Sequence, residues 1–598
     1  MQIGGLAQRD SSQMRRFIGS SIILLAALVA TAPQFFRGNT CGHDFDFHLV
    51  SWFDCLHAWR EGILYPQWTP SPNFGAGEPR FIFYPPITWM LGAALGIVME
   101  WKLVPMALTF LLLAGAGIAA RALARQVLQD GPATLAGCIA IFSGYSLFTA
   151  YERTAFGELT GGFWVPLLLL FVLRDRNPDD STWRRAFDGS AAPLALVLAG
   201  AWLSDVPLGL LASYLLAGMA VLAALLWRSW APLLRAVTAT ILGLVLTSIY
   251  LAPALADQSW IDVHQATNVG YRIQDSWLFA RHAGQDFRLH DIELFKVSTI
   301  GITMIGVALA AMLVCRLRGR MPGSFRWWFP LALIVACVLL LQFPVSAPVW
   351  NLLPKLPLLQ FPWRWLVALE APMGVFVASA VWVTRRRWRW LVLAACAAFF
   401  LATTLIAGFN FFQTCDEEDA VWAMQGTYRS GAGFEGEDEY TPPYADNSLV
   451  SMDLPAACLA PDPTRALGKT NEDAELDWSP DQHSCDATFS ATHVPGKPAD
   501  EHLRIQAIVP HAGYLILRLR SCPAWKIRLN GSIFYLTAER EDGLIVVPAP
   551  QGPIDLTADW TTSSATVAGR WISLFALLLI GAVYFMERKP LSSQLKWV

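Results

Sequence analysis

Charge is what this sequence has least of. Only 15% of its 598 residues are Asp, Glu, Lys or Arg, against roughly 25% in an ordinary soluble domain. That scarcity excludes a disordered chain, which combines high charge with few apolar residues. The formal net charge of -3 excludes the basic balance of a nucleic-acid-binding protein. Zinc patterns are missing as well: the 10 Cys include no Cys-x-x-Cys and no Cys/His zinc spacing. Apolar residues take the place of charge, at 54%, with 26 Trp. This is the composition of a polytopic membrane protein.

The near-neutral total hides an asymmetry. Residues 410 to 568 hold 24 Asp+Glu and 10 Lys+Arg, a net of -14, and the remainder hold 23 and 34, a net of +11. Apolar runs near the ~20 residues that span a bilayer occur at 17–33, 103–120, 134–150, 159–173, 191–207, 208–227, 234–252, 298–314, 327–342, 365–383, 390–409 and 569–586. Basic clusters decide sidedness, because short loops rich in Lys and Arg stay cytoplasmic. They stand at Arg15/Arg16, Arg121/Arg125, Arg174/Arg176/Arg184/Arg185, Arg228/Arg235, Arg316/Arg318/Arg320/Arg326, Arg385/Arg386/Arg387/Arg389 and Arg588/Lys589/Lys596. With twelve crossings every cluster shares the side of the N-terminus, so both termini are expected in the cytoplasm. The shorter run Pro86 to Val98 is then a helix at the outer interface or a re-entrant one, since counting it as a span reverses every later cluster. The first run has no A-x-A cleavage site and is expected to be retained.

The expected domains are a transmembrane module at 1–409 with a first external loop at 34–102, an acidic external domain at 410–568, and a last span with a cytoplasmic tail at 569–598. All ten His fall outside: His43, His48, His57, His264, His282, His290, His483, His493, His502 and His511. Six Cys do too: Cys41, Cys55, Cys415, Cys458, Cys485 and Cys522. In an oxidising compartment these can pair, but sequence alone does not decide between disulfides and thiols.

The first external loop, GHDFDFHLVSWFDCLHAWREGILYPQWTPSPNFGAGEPRFIFYPP, carries the most information. On a helix Asp46, Asp54, His57 and Glu61 share one arc, while Leu49, Trp52, Phe53, Leu56 and Trp59 lie opposite. The pattern predicts an amphipathic helix lying on the membrane with its acids toward water. The Pro/Gly-rich run from Tyr65 to Pro79 predicts a loop.

An acidic motif after the first span, an amphipathic juxtamembrane helix, a G-x-x-Y-P-x-W turn and a Y-P-P leading into a short helix together resemble the GT-C membrane glycosyltransferases. The pattern is most similar to the bacterial branch of YfhO-like and pyruvoyl-tetrahydropterin-synthase-related membrane proteins, over roughly residues 15 to 410. The resemblance implies a GT-C-like helical fold in a bacterial inner membrane, a polyprenyl-phosphate-linked sugar donor, and a glycan, lipid or protein acceptor on the outer face. It implies that Asp44, with Asp46 as its rival, acts as base or orients the acceptor. In the second loop, YERTAFGE, it points to Glu152, Arg153 and Glu158. The absence of an Asp-x-Asp there leaves divalent metal as an open question. LQFPWRW, with Trp363 and Arg364, and IYLAPALAD, with Tyr250 and Asp257, resemble further motifs of this branch, and Tyr84 belongs to the Y-P-P.

The residue types suit the chemistry on their own terms. Sugar transfer from a lipid phosphate needs a carboxylate to accept the acceptor's hydroxyl proton and cations to hold the leaving phosphate. Arg153, Arg364 and Arg281 are the candidate phosphate contacts. His43, His48, Tyr84, Tyr250, Asp257, Trp363 and Glu370 are the candidate cavity residues, Glu370 because it is a carboxylate within a span. If a divalent metal is bound, its candidate ligands are His43, Asp44, Asp46 and His48; on a helix their alternation does not converge. Each has a plain alternative: a solvated Asp44, a snorkelling Arg364, loop anchoring by Glu152 and Glu158, and a turn at Asp205.

Within 410–568, GFEGEDEYTPPY reads as irregular, whereas HLRIQAIV, YLILRLRS, WKIRLNGS and GLIVVPAP alternate as strands of a small β-sandwich. Two other functions compete with glycosyl transfer: a transporter or flippase of lipid-linked sugars, which calls for charged spans and internal repeats, and a non-enzymatic envelope assembly protein.

Overall fold

The computed structural model describes residues 3–175, 180–285, 287–383, 385–450, 452, 454–465, 467, 485–492, 494–535 and 539–588, with the side chains of 3–13, 15, 16, 386 and 588 excepted. Arg176, His483, His493, Lys589 and Lys596 and the side chains of Arg15, Arg16, Arg386 and Arg588 therefore lie outside the described residues.

The apolar runs are helices. Among the described residues eight are long and apolar enough to cross a membrane: Trp101–Ala124, Asp130–Arg153, Thr182–Ser204, Val206–Trp227, Arg288–Leu317, Pro362–Val381, Arg387–Asn410 and Ser564–Glu587. Two bent pairs, Ala231–Leu246 with Ser248–Ala256 and Phe325–Leu341 with Pro344–Leu352, bring the number to 10 if each counts once. The expected runs at 17–33 and 159–173 coincide with two shorter apolar helices, Phe17–Ala30 and Phe156–Val172. Pro86–Val98 forms a 13-residue helix, about 20 Å long at 1.5 Å per residue and too short for a bilayer core.

The arginine-rich ends gather on one side of the bundle. Arg125 pairs with Asp130 at 2.8 Å, Arg326 faces Asp175 at 3.8 Å, and Arg318 and Arg320 donate to the carbonyls of Ala380 and Trp382. Arg235 is fully buried there and donates to the carbonyls of Phe171, Arg174, Ala186 and Arg185. Because helix Trp101–Ala124 runs toward this end and Asp130–Arg153 returns from it, Arg153 stands at the opposite end.

The first loop differs from its expectation in one respect. Phe45–Arg60 is a helix, and Asp46 and Glu61 on its acidic side are exposed, but Asp54 is not. The Tyr65-to-Pro79 loop folds back over it, so Asp54 is fully buried and accepts from the Ser71 hydroxyl at 2.5 Å. Arg80, also buried, pins the same helix by donating to the Phe47 carbonyl and the Ser51 hydroxyl, and it pairs with Glu78 at 2.6 Å.

Among the described residues eight strands follow: β1 (Ala457–Ala460), β2 (Ala487–Phe489), β3 (His502–Val509), β4 (Gly513–Arg520), β5 (Trp525–Leu529), β6 (Ser532–Phe534), β7 (Leu544–Ala549) and β8 (Gly552–Trp560). They form two four-stranded antiparallel sheets, β2-β1-β4-β7 and β3-β8-β5-β6. The inward residues of both sheets, among them Leu515, Leu517, Val547, Ile505, Ile527 and Leu556, share one core, as in a sandwich. Asn530 and Gly531, both at positive φ, turn β5 into β6 as Asn-Gly hairpins do. The alternation of HLRIQAIV, YLILRLRS, WKIRLNGS and GLIVVPAP corresponds to β3, β4, β5 and β7; β1, β2, β6 and β8 were not foreseen.

Trp68, from the first loop, completes the sandwich core. Its ring lies 5.3 Å from Trp525 and 5.2 Å from Trp560. A disulfide, Cys41–Cys415, ties the start of the first loop to the segment after helix Arg386–Asn410, and a second joins Cys458 to Cys485. Cys55 and Cys522 are buried thiols.

Candidate functional site

The site is assembled where three distant segments cross. Thr40 bridges to Thr414, Cys41 N–H donates to the Gln413 carbonyl, and Thr40 Oγ1 donates to the Tyr151 carbonyl at 2.6 Å. The middle segment is a π-turn, Thr149–Arg153, ended by Thr154 at a φ of +52°. That conformation costs a β-branched residue about 1–3 kcal/mol, and the Thr154 hydroxyl is engaged on both sides, accepting from Gly42 N–H and donating to the Thr40 carbonyl. Gly42 is required at this crossing, because a Cβ there would lie 2.3 Å from the Glu152 carbonyl oxygen.

Asp44 therefore enters the site with its backbone held, its N–H donating to the Arg153 carbonyl at 3.0 Å. Its carboxylate, 37% exposed, stands 4.0 Å from the buried Arg153 guanidinium. Arg153 also pairs with Glu158 at 3.1 Å and faces Glu293 at 3.8 Å. Glu158 is the hub: it accepts from Arg153, from Arg364 Nε at 3.1 Å and from the Tyr145 hydroxyl. Arg364 is oriented from behind by the Leu359 carbonyl and Gln360 Oε1. Both guanidinium groups lie near the Phe361 ring, on which Trp363 stacks at 4.4 Å. Beside this chain Lys296 pairs with Glu152 at 2.5 Å. Glu152 Oε2 and Arg153 Nε are buried with no hydrogen-bond partner among the described residues.

A cleft of about 470 Å³ opens next to it, between the first-loop helix and residues 417–437. Asp46, Glu417, Asp419 and Glu437 line it, with Phe47, Val50, Met424 and Phe434 as apolar wall and Arg80 as the cation. Desolvation by the surrounding cleft walls raises Asp46 above the usual carboxylate range although its surface is in part exposed, against the pull of a backbone hydrogen bond and Arg80. Burial likewise pushes Glu437 up to about 8. Asp44 and Asp46 thus serve different surroundings, the ion-pair chain and the cleft.

The remaining candidates are placed as follows. His43 is exposed and turns to Glu293 at 3.7 Å. His48 is buried among Phe47, Trp52, Tyr84 and Phe156, and burial with the Arg80 charge depresses it to about 3. The expected metal ligands His43, Asp44, Asp46 and His48 do not converge: helix geometry sends them to different partners. Among the described residues no three His, Cys, Asp or Glu form a metal group. Tyr84 packs against Phe47 at 4.7 Å, while Tyr250 donates to the Phe83 carbonyl.

Two expected cavity residues are engaged elsewhere. Asp257 accepts from Ser563 and so anchors the last helix. Glu370 accepts from Ser143 and Ser146, where helix Asp130–Ile141 breaks before Gly144–Phe148; a carboxylate within a span is satisfied by hydroxyls rather than open to a cavity. Arg281 is exposed and makes none of these ion pairs. The sequence reading missed Glu293, Lys296, Tyr145 and the Glu78–Arg80 pair. The first two were detectable as an i, i+3 charged pair at the start of an otherwise apolar helix.

The chain is a multi-pass helical membrane protein with a C-terminal antiparallel sheet domain. No family model and no curated protein matches the sequence. Among solved structures it is similar to the oligosaccharyltransferase AglB from Archaeoglobus fulgidus, solved with an inhibitory peptide and a dolichol-phosphate: TM-score 0.40, 13% identity, covering 67% of this chain and 57% of that one. It is also similar to the arabinofuranosyltransferase AftD from Mycobacteria: TM-score 0.40, 15% identity, covering 67% of this chain and 27% of that one. The chain thus spans little more than half of AglB and about a quarter of AftD.

Proposed function

We propose that this protein is an integral-membrane glycosyltransferase that moves a sugar from a polyprenyl-phosphate-linked donor to an extracytoplasmic glycan, lipid or protein acceptor. The observation that carries the reading is the part-exposed Asp44 carboxylate, which faces the buried Arg153 guanidinium while the Asp44 backbone N–H donates to the Arg153 carbonyl, with Arg364 joined to Arg153 through Glu158. In this role Asp44 accepts the acceptor's hydroxyl proton as the glycosidic bond forms, and Asp46 presents the acceptor from the adjoining cleft. Arg153 and Arg364 offset charge on the departing phosphate. Glu158 holds both guanidinium groups in place, which makes it a positioning residue. The reading places the arginine-rich end in the cytoplasm of a bacterial inner membrane and residues 410–568 outside, over a 1–409 transmembrane module, with 569–598 as last span and tail.

The experiment is reconstitution of the full chain in liposomes with polyprenyl-phosphate sugars, measuring release of polyprenyl phosphate. Wild type should turn over with at least one donor and Asp44→Asn should lose 100-fold or more, the usual scale for removal of a general base. Equal rates in the two proteins overturn the assignment of Asp44, and silence with every donor overturns the activity.

A further inference from the structure

The charge of the external domain is unevenly placed. Residues 410–568 hold 24 acids and 10 bases, yet the outward face of the β3-β8-β5-β6 sheet reverses that balance. Strand register puts Lys526, Asp559 and His502 in one row across this face, and Ile533, Arg528, Thr557 and Arg504 in the next. Alternation sends Ile505, Ile527 and Leu556 to the core on the other side. Lys497 joins from the preceding loop, 3.3 Å from Asp559. Four of the domain's bases are therefore collected here with only two of its acids, Asp555 and Asp559, for a net of +2 in a domain of net -14.

We infer that this face is a docking surface for a uronic-acid polysaccharide. The inference is independent of the glycosyl-transfer reading. Charge complementarity selects an anionic partner, and the carboxylates that the arginines already hold are the observation that favours a carboxylate. Arg504 already grips Asp555 through two nitrogens, at 2.9 and 2.6 Å, and Arg528 holds Asp559 at 2.9 Å. Guanidinium forks match carboxylates in this way. These pairs are part exposed, with Arg504 at 36% and Arg528 at 41%, and exposed pairs contribute little, so an incoming carboxylate can exchange with the internal one. Arg504 and Arg528 stand two strands apart, about 10 Å, which spaces them for successive charges along a polymer. At the sheet edge Ile533 and Tyr535, 53% and 76% exposed, offer an apolar rim to sugar rings.

The test uses the full chain in detergent over immobilised polygalacturonate, with dextran and polyphosphate as comparison polymers. The expected result is binding to polygalacturonate and not to dextran, weakened by raising NaCl from 50 to 300 mM as screening requires. Lys497→Glu/Lys526→Glu should weaken it at least tenfold. Arg504→Gln/Arg528→Gln should do the same with unchanged far-UV circular dichroism. No binding at low salt, equal binding by both folded variants, or binding to polyphosphate alone each overturns the inference.

Discussion

Asp44 and Arg153 meet twice: the backbone N–H of Asp44 donates to the Arg153 carbonyl at 3.0 Å, and their side chains face each other at 4.0 Å. The double contact makes the orientation of the candidate base a property of the second loop. Whatever holds Arg153 holds Asp44.

Arg153 and Glu158 are each 8% exposed, and removing Arg153 leaves the buried Glu158 resting on Arg364. Arg153→Ala should destabilise, by less than the about 3–5 kcal/mol of a buried charge left with no partner. Adding Glu158→Ala should cost less than it does alone, because the contact it would break is already gone. Thermal unfolding of the two single variants and the double gives the coupling; strict additivity would show that the pair does not act as a unit.

Stability should fall with rising pH through Asp54. Burial lifts its carboxyl to about 7, against hydrogen bonds from Ser71 that lower it. Between about pH 4 and pH 7 the folded chain keeps a proton that the unfolded chain has released, so each unit upward costs up to about 1.4 kcal/mol. Above pH 7 this contribution is flat. Asp54→Asn removes it, and the difference in Tm between pH 5 and pH 8 should shrink relative to wild type. An unchanged difference would mean that Asp54 is ionised when folded.

Trp68 fills the sandwich core from outside the domain. Trp68→Ala should cost about 3–5 kcal/mol through the cavity it leaves, and hydrogen exchange should quicken in β5 and β8, whose Trp525 and Trp560 touch it. Faster exchange confined to residues 60–80 would show instead that the plug is dispensable to the sheets.

The Cys41–Cys415 disulfide closes a separation of 374 residues. Cys41→Ser/Cys415→Ser should lower stability by about 2–4 kcal/mol. A protease site placed in the Gly319–Gly323 turn should yield fragments that stay joined on a non-reducing gel and separate after reduction. Fragments that separate without reductant would refute the pairing.

Helices and strands were legible where the information is local. Twelve apolar runs coincide with helices because burial of a continuous apolar length is written residue by residue. Four strands were found from alternation alone. β1, with four consecutive buried residues, shows no alternation and went unseen, and β8 was missed although PIDLTADW does alternate. In the first loop the helix was found and its surroundings were not. Asp46 and Glu61 face solvent as the stripe predicts, but Asp54 is covered by residues that follow it by more than ten positions, beyond the reach of a local pattern.

The sequence by itself determined the membrane class, the helix positions, the arginine-rich ends and the candidate carboxylates of the first two loops, since composition and periodicity carry these. Only the tertiary structure decided that Asp44 meets Arg153, that Glu158 meets Arg364, that Lys296 meets Glu152, and that Cys41 pairs with Cys415. Each of these contacts joins segments separated by one or more spans. A charge or thiol states what it can bind, and packing of the intervening helices decides which partner comes within reach.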